Sequence, residues 1–211
     1  METNPTPQPI VKRSFTDNMR LWFKGVTEPT ARFLNKIGLT PNSMTILGLI
    51  GNLIGAWYLS QGNRLMGGVF ILICTPFDAL DGTMARLRGE VTEFGAFVDS
   101  VSDRYSELFI LGGLVFYYST HNNQLLTMLT YAAAAGSIMV SYSKARAEAL
   151  KLNANTGILT RMERYLVLTP LLLLNRPDLA IWILAIFTNV TALQRIYKVR
   201  KEFRKKAAQT A

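Results

Sequence analysis

The chain has 211 residues, enough for one domain and its core with little room for a second. It is 49% hydrophobic and 18% charged, too apolar for an ordinary soluble domain or a disordered chain, and a lone Cys74 with a lone His121 excludes a disulfide framework and a structural zinc site. The formal net charge of +9 suits nucleic acid, anionic lipid or an anionic substrate, so the placement of the charges has to decide.

Residues 1–9 contain three prolines and read as a disordered tail, without the basic start and apolar core of a signal peptide. Residues 10–211 read as a single membrane domain. From Phe15 the bulky positions Phe15, Met19, Trp22, Val26, Phe33 and Ile37 step mostly by three or four, with basic residues between them. This predicts an interfacial amphipathic helix over about 14–37, interrupted near Gly25 and Pro29; a helix that packs on a partner protein has the same pattern. Residues 43–60 and 124–142 carry no formal charge and approach the ~20 residues a spanning helix needs. Three shorter apolar runs, 65–77, 108–118 and 165–174, adjoin ionisable stretches, and can span if their polar halves face a protein cavity. With 179–193 the expectation is an all-α integral membrane protein of six transmembrane helices over about 42–205.

Threading six spans with both termini on one side puts 21 of the 23 basic residues on that side, leaving Arg64 and Arg176 opposite. The positive-inside rule then makes both termini and the charged connections cytoplasmic, in a protein of the cell membrane surrounded by lipid. A nucleic-acid groove accounts for this poorly, because the charges lie in four segments that share only a membrane face.

The informative stretch is 78–103, DALDGTMARLRGEVTEFGAFVDSVSD. If the second span continues as a helix past Phe77, Asp78, Asp81, Gly82, Ala85 and Arg86 fall within an arc of roughly 140°. On the next helix Gly95, Asp99 and Asp103 follow at spacings of four and form one stripe. A short connection from Leu87 to Thr92 returns the second helix at the same depth, so four carboxylates converge. Four like charges in a low-dielectric site repel unless a cation neutralises them, and oxygen ligands without His or Cys point to magnesium, manganese or calcium. Gly82 and Gly95 leave room for a bulky ligand against the backbone, and Arg86 is placed for a phosphate on it. Interfacial acids salt-bridged to neighbouring arginines are the bland account. A cation transporter explains the acids but not the glycines and Arg86, and a noncatalytic membrane scaffold leaves the acids dispensable.

At these residues the sequence resembles the CDP-alcohol phosphotransferases. Their signature, D-x2-D-G-x2-A-R-x8-G-x3-D-x3-D, is matched in full by Asp78, Asp81, Gly82, Ala85, Arg86, Gly95, Asp99 and Asp103. The wider resemblance covers about residues 30–200, including the Leu39-Thr40-Pro41-Asn42 lead into the first span. The resemblance implies transfer from a CDP-lipid such as CDP-diacylglycerol to an alcohol with release of CMP. Asp78, Asp81, Asp99 and Asp103 would hold two Mg²⁺ or Mn²⁺ ions, with Asp103 also the general base. Gly82, Ala85, Arg86, Thr92 and Gly95, together with Asn42 and Thr45, would lie along the cytidine diphosphate.

Lys144, Arg146, Arg161, Arg164 and Arg195 belong to the same membrane side as the acids. Five cations beside carboxylates and diphosphate indicate an acceptor with its own phosphate, although anionic lipid headgroups would attract them too. The pattern is similar to the branch that uses inositol 1-phosphate to make phosphatidylinositol phosphate, whose phosphate-binding residues correspond to Lys144, Arg164 and Arg195. Arg104 after Asp103 also follows that branch, and Met162 departs from its proline. Within the family the alternative acceptor is glycerol 3-phosphate, giving phosphatidylglycerol phosphate. The family resemblance implies a homodimer, and the small-residue face from Ala132 to Gly136 suits either that or internal helix packing.

Overall fold

A computed structural model of the protein describes the backbone of residues 15–152, 154 and 156–210, and the side chains from Gly25 onward apart from 206, 207, 209 and 210. The expected tail over 1–9 lies outside the described residues. Among the described residues every regular element is an α-helix: α1 (Phe15–Lys36), α2 (Pro41–Ser60), α3 (Arg64–Cys74), α4 (Phe77–Arg88), α5 (Glu93–Thr120), α6 (Gln124–Ala149), α7 (Arg161–Leu173) and α8 (Pro177–Thr210).

Four segments are long and apolar enough to cross a membrane: α2, the α3–α4 pair over Arg64–Arg88, α6, and α8 over Pro177–Lys205. Of the other two expected spans, α5 is 28 residues long but carries Asp99, Asp103, Arg104 and Glu107. Helix α7 has only 13 residues, about 20 Å at 1.5 Å per residue. Ile46, Leu53, Trp57, Leu72, Ile73 and Phe116 are exposed on the outside of the bundle, the apolar surface that a membrane-embedded protein turns to lipid.

The break within the second span falls at Thr75–Pro76, where Pro76 contributes no N–H, and α4 stops at Gly89, which takes the left-handed conformation (φ 69°). Contrary to the expected interruption, α1 runs unbroken through Gly25 and Pro29. Proline forfeits one helical hydrogen bond there, while the turn beyond it is anchored: Ala31 is fully buried among Met44, Leu80 and Met84, with Leu34 beside it. Tertiary packing therefore outweighs the local breaker.

Close helix approach depends on absent side chains. A Cβ at Gly51 would collide with Sγ of Cys74, and one at Gly113 with the carbonyl of Ala56. The small-residue face of α6 is used internally: Ala133 and Ser137 are buried, and a Cβ on Gly136 would meet Oγ1 of Thr188 on α8. The main core, with Ile110, Leu114, Leu168, Leu172, Ile181 and Leu184, ties α5, α7 and α8 together.

Two adjacent glycines on α5 separate packing from propensity. Gly113→Ala meets backbone and should lower detergent-solubilised thermal stability by about 1–3 kcal/mol, whereas Gly112→Ala faces open space and should be neutral or stabilising by up to ~1 kcal/mol. Equal melting temperatures for the two variants would contradict the packing account.

Candidate active site

Asp78 and Asp81 sit in the first half of α4, and Asp99 and Asp103 one turn apart in α5. The break at Thr75–Pro76 starts α4 afresh, and Thr92 caps α5 by accepting a hydrogen bond from the Gly95 N–H at 3.0 Å. Carboxylate oxygens of Asp78, Asp99 and Asp103 lie within 4.8 Å of one another. Asp81 is not in that set. It is buried, and its Oδ2 accepts from Thr45 Oγ1 at 2.5 Å, a bond that joins α2 to α4 and turns one carboxylate oxygen toward protein. It remains within electrostatic reach of Asp78 and Asp99.

The cluster is held by a cation from elsewhere in the chain. Arg161, the first residue of α7, donates from one guanidinium nitrogen to Asp103 Oδ2 and from another to Asp78 Oδ2. Arg104 approaches Asp103 Oδ2 at 3.9 Å. The neutralisation is incomplete: Oδ1 of Asp99 and Oδ1 of Asp103 are buried without any hydrogen-bond partner. Buried acceptors left unpaired are costly, and oxygen-only donors at this separation suit a hard divalent cation that would complete them. The residues present therefore fit a divalent metal.

Beside the acids the surface is open. A Cβ on Gly82 would approach only the end of Arg86 at 3.4 Å, and one on Gly95 only the hydroxyl of Thr92 at 3.0 Å. Both neighbours are local side chains on the same turn, in contrast to the interhelical collisions at Gly51 and Gly113. Arg86 is exposed and donates to Thr83 Oγ1 at 2.9 Å; Ala85 is half-buried and Asn42 is exposed at the start of α2. The Thr92 hydroxyl already accepts from its own helix.

The expected acceptor residues divide. Lys144 and Arg146 lie near the end of α6, where Lys144 is 3.7 Å from Glu148. Arg195 is buried, donating to the carbonyls of Thr156 at 2.8 Å and Val140 at 2.6 Å, within electrostatic reach of Arg164. Arg161 is drawn into the acid cluster. Arg164 is only 2% exposed and grips Glu107 with two nitrogens, at 2.5 and 2.8 Å, so most of its fork is committed inside the protein. Glu107 was not singled out from sequence, although it continues the spacing of Gly95, Asp99 and Asp103 by one further turn. The bridging position of Arg161 had no local signal, because its partners are 58 and 83 residues away.

Carboxylates gathered inside a membrane-embedded helical bundle, open glycines next to them and cations on neighbouring helices define an intramembrane enzyme for an anionic substrate. The chain belongs to the CDP-alcohol phosphatidyltransferase family, which it matches over residues 38–193, and is a phospholipid-biosynthesis transferase. It is 37% identical over 191 residues to a phosphatidylinositol phosphate synthase of Mycobacterium marinum, covering 85% of this chain and 82% of that one. It is 33% identical to an archaetidylinositol phosphate synthase of Pyrococcus horikoshii, covering 82% and 90%. The crystal structure of Mycobacterium tuberculosis phosphatidylinositol phosphate synthase with CDP-DAG bound superposes with a TM-score of 0.77 at 33% identity, covering 83% of this chain and 94% of that one. The same enzyme in complex with manganese and citrate gives a TM-score of 0.77 at 33% identity, covering 82% and 88%. These relatives support a CDP-lipid substrate and divalent metal use, and do not favour a cation pathway.

The pair between Arg164 and Glu107 should be a major stabilising element. Glu107→Ala leaves a buried guanidinium uncompensated and should cost about 3–5 kcal/mol, visible as a large fall in melting temperature in detergent. An unchanged melting temperature would mean that Arg164 finds another partner.

Proposed function

We propose that the protein transfers the phosphatidyl group of CDP-diacylglycerol to inositol 1-phosphate, forming phosphatidylinositol phosphate and releasing CMP. The observation that carries this reading is the convergence of Asp78, Asp99 and Asp103, two of them held by Arg161 of α7, in a bundle that also buries Arg164 of α7 and Arg195 of α8 within electrostatic reach of each other. The inositol-phosphate names of the relatives favour that acceptor over glycerol 3-phosphate.

Asp78, Asp81, Asp99 and Asp103 hold two Mg²⁺ or Mn²⁺ ions in this reading. Bound ions neutralise the diphosphate and polarise its reacting phosphorus. Asn42, Thr45, Gly82, Ala85, Arg86, Thr92 and Gly95 seat the cytidine diphosphate, the two glycines by admitting it to the helix backbone and Arg86 by pairing with a phosphate. Lys144, Arg146, Arg161, Arg164 and Arg195 receive the acceptor phosphate. Asp103 also takes the proton from the attacking inositol hydroxyl on its carboxylate. The hydroxyl oxygen forms a bond to the phosphatidyl phosphorus while the bond from that phosphorus to the CMP oxygen breaks, and its electron pair departs with CMP. Glu107 keeps Arg164 oriented for this task.

In the membrane we place six spans, with α5 and α7 crossing inside the bundle, both termini cytoplasmic, and the protein a homodimer in the cell membrane. Helix α1 lies in the interface, with its exposed Val26 and Phe33, and Ile37 just beyond its end, toward lipid.

A CMP-release assay with purified protein and a panel of acceptors tests the assignment. Inositol 1-phosphate should give the highest kcat/KM and free inositol little turnover; a higher kcat/KM for glycerol 3-phosphate would move the chain to the other acceptor while leaving the transferase intact. Activity should disappear with EDTA and return with magnesium or manganese, and full turnover in metal-free buffer would defeat the metal reading. Asp103→Asn should lower kcat by ~10²- to 10⁴-fold while retaining CDP-lipid binding, which equilibrium binding of the nucleotide lipid measures.

Lys144→Ala and Arg195→Ala should raise KM for inositol 1-phosphate by the equivalent of roughly 1.5–3 kcal/mol per lost contact, with the CDP-lipid KM nearly unchanged. Arg164→Ala should do the same and also lose stability through Glu107, so its kinetics need the melting temperature beside them. Equal changes in both KM values would place these cations outside the acceptor site.

A further inference from the structure

At the far end of the bundle from the carboxylates lies a cavity of ≈ 480 Å³, lined among others by Arg64, Tyr117, His121, Asn123, Arg176 and Asp178. Asp103 and Tyr117 share α5 fourteen residues apart, which places this cavity roughly 20 Å along the helix from the acids. Only two of the chain's 23 basic residues belong to this side of the bundle in the six-span threading, and both line the cavity. A side that is otherwise depleted of cations has brought its only two together.

The chemistry of the lining is anion-binding. Arg64 lies over the Tyr117 ring, 5.4 Å from its centroid, and donates to Asn175 Oδ1 at 2.9 Å and Tyr117 Oη at 3.3 Å, while its Nε is buried with no partner. The Tyr117 ring in turn lies 4.2 Å from that of His121, so the imidazole is held at the same wall. Arg176 is exposed, and neither arginine forms an ion pair among the described residues, although Asp178 is in the lining. The lining draws on the starts of α3, α6 and α8 and on the last turn of α5.

We propose that this cavity is a second anion site, holding a phosphate ester between Arg64, Arg176 and His121 on the side opposite the transfer reaction. The phosphate comes from a lipid headgroup of that leaflet or from a small soluble phosphate; guanidinium forks and an imidazole recognise either. The site does not depend on the identity of the acceptor.

The test uses the full chain purified in detergent and titrated with dihexanoylphosphatidylglycerol, and in parallel with inorganic phosphate, following thermal unfolding. Arg176→Gln is the informative variant, because Arg176 makes no side-chain bond that the fold needs, whereas Arg64 also ties α3 to Asn175. Lys144→Gln controls for binding at the acceptor site. Wild type and Lys144→Gln should show the same saturable upward shift, with the apparent Kd raised at least ~10-fold in Arg176→Gln and His121→Gln and CMP release by Arg176→Gln unchanged. A shift with lipid alone assigns the headgroup as ligand, and a shift with both probes assigns the phosphate itself. Titration of Arg176→Gln indistinguishable from wild type, or no shift with either probe, overturns the proposal.

Discussion

Concentrating carboxylates within a bundle that faces lipid is the constraint on which the rest of the structure depends. Asp78, Asp99 and Asp103 approach within 4.8 Å, a distance at which ionised groups in low dielectric cannot persist without positive charge. Arg161 answers part of that demand from α7, and the unpartnered oxygens of Asp99 and Asp103 show that it does not answer all of it. Helix α7 begins at Arg161, so its first turn meets the acids directly. One turn further, Arg164 and Glu107 form a second, buried pair, joined through two guanidinium nitrogens. The two arginines thus differ in kind, one resting on a cluster with capacity left over and the other completing its partner.

Glycine serves two opposite purposes in the same helices. Gly51, Gly113 and Gly136 are positions where another helix already occupies the space, and they set how tightly α2, α3, α5, α6 and α8 pack. Gly82 and Gly95 are positions where no other helix comes close, so packing gives no reason for them. Thr45 links these layers: from α2 it holds Asp81 on α4, fixing one acid while its neighbours remain available.

Periodicity carried most of the site. Spacings of three and four put Asp78, Asp81 and Gly82 on one stripe and Gly95, Asp99 and Asp103 on another, and the helices α4 and α5 preserve both. The same spacing reached Glu107, but a single acid beyond the pattern has no meaning until Arg164 is seen against it. Contacts across 58 and 83 residues, such as those of Arg161, leave no trace in local spacing because they are made by topology. The exclusion of Asp81 from the closest cluster is likewise tertiary, since it depends on a hydroxyl from α2. Among the elements, the apolar runs located the helices, while the continuity of α1 through Pro29 was decided by Ala31 docking on α4, which composition does not reveal.

The packing at Gly51 also determines what thiol chemistry will see. Cys74, the chain's sole cysteine, is buried with its sulfur lodged in the notch that the missing Cβ leaves on α2. A maleimide therefore reaches this thiol slowly while the two helices stay together. The wild-type sequence therefore serves directly as a background for cysteines introduced at the surface, and slow labelling of the native thiol becomes a clock for the separation of α2 from α3.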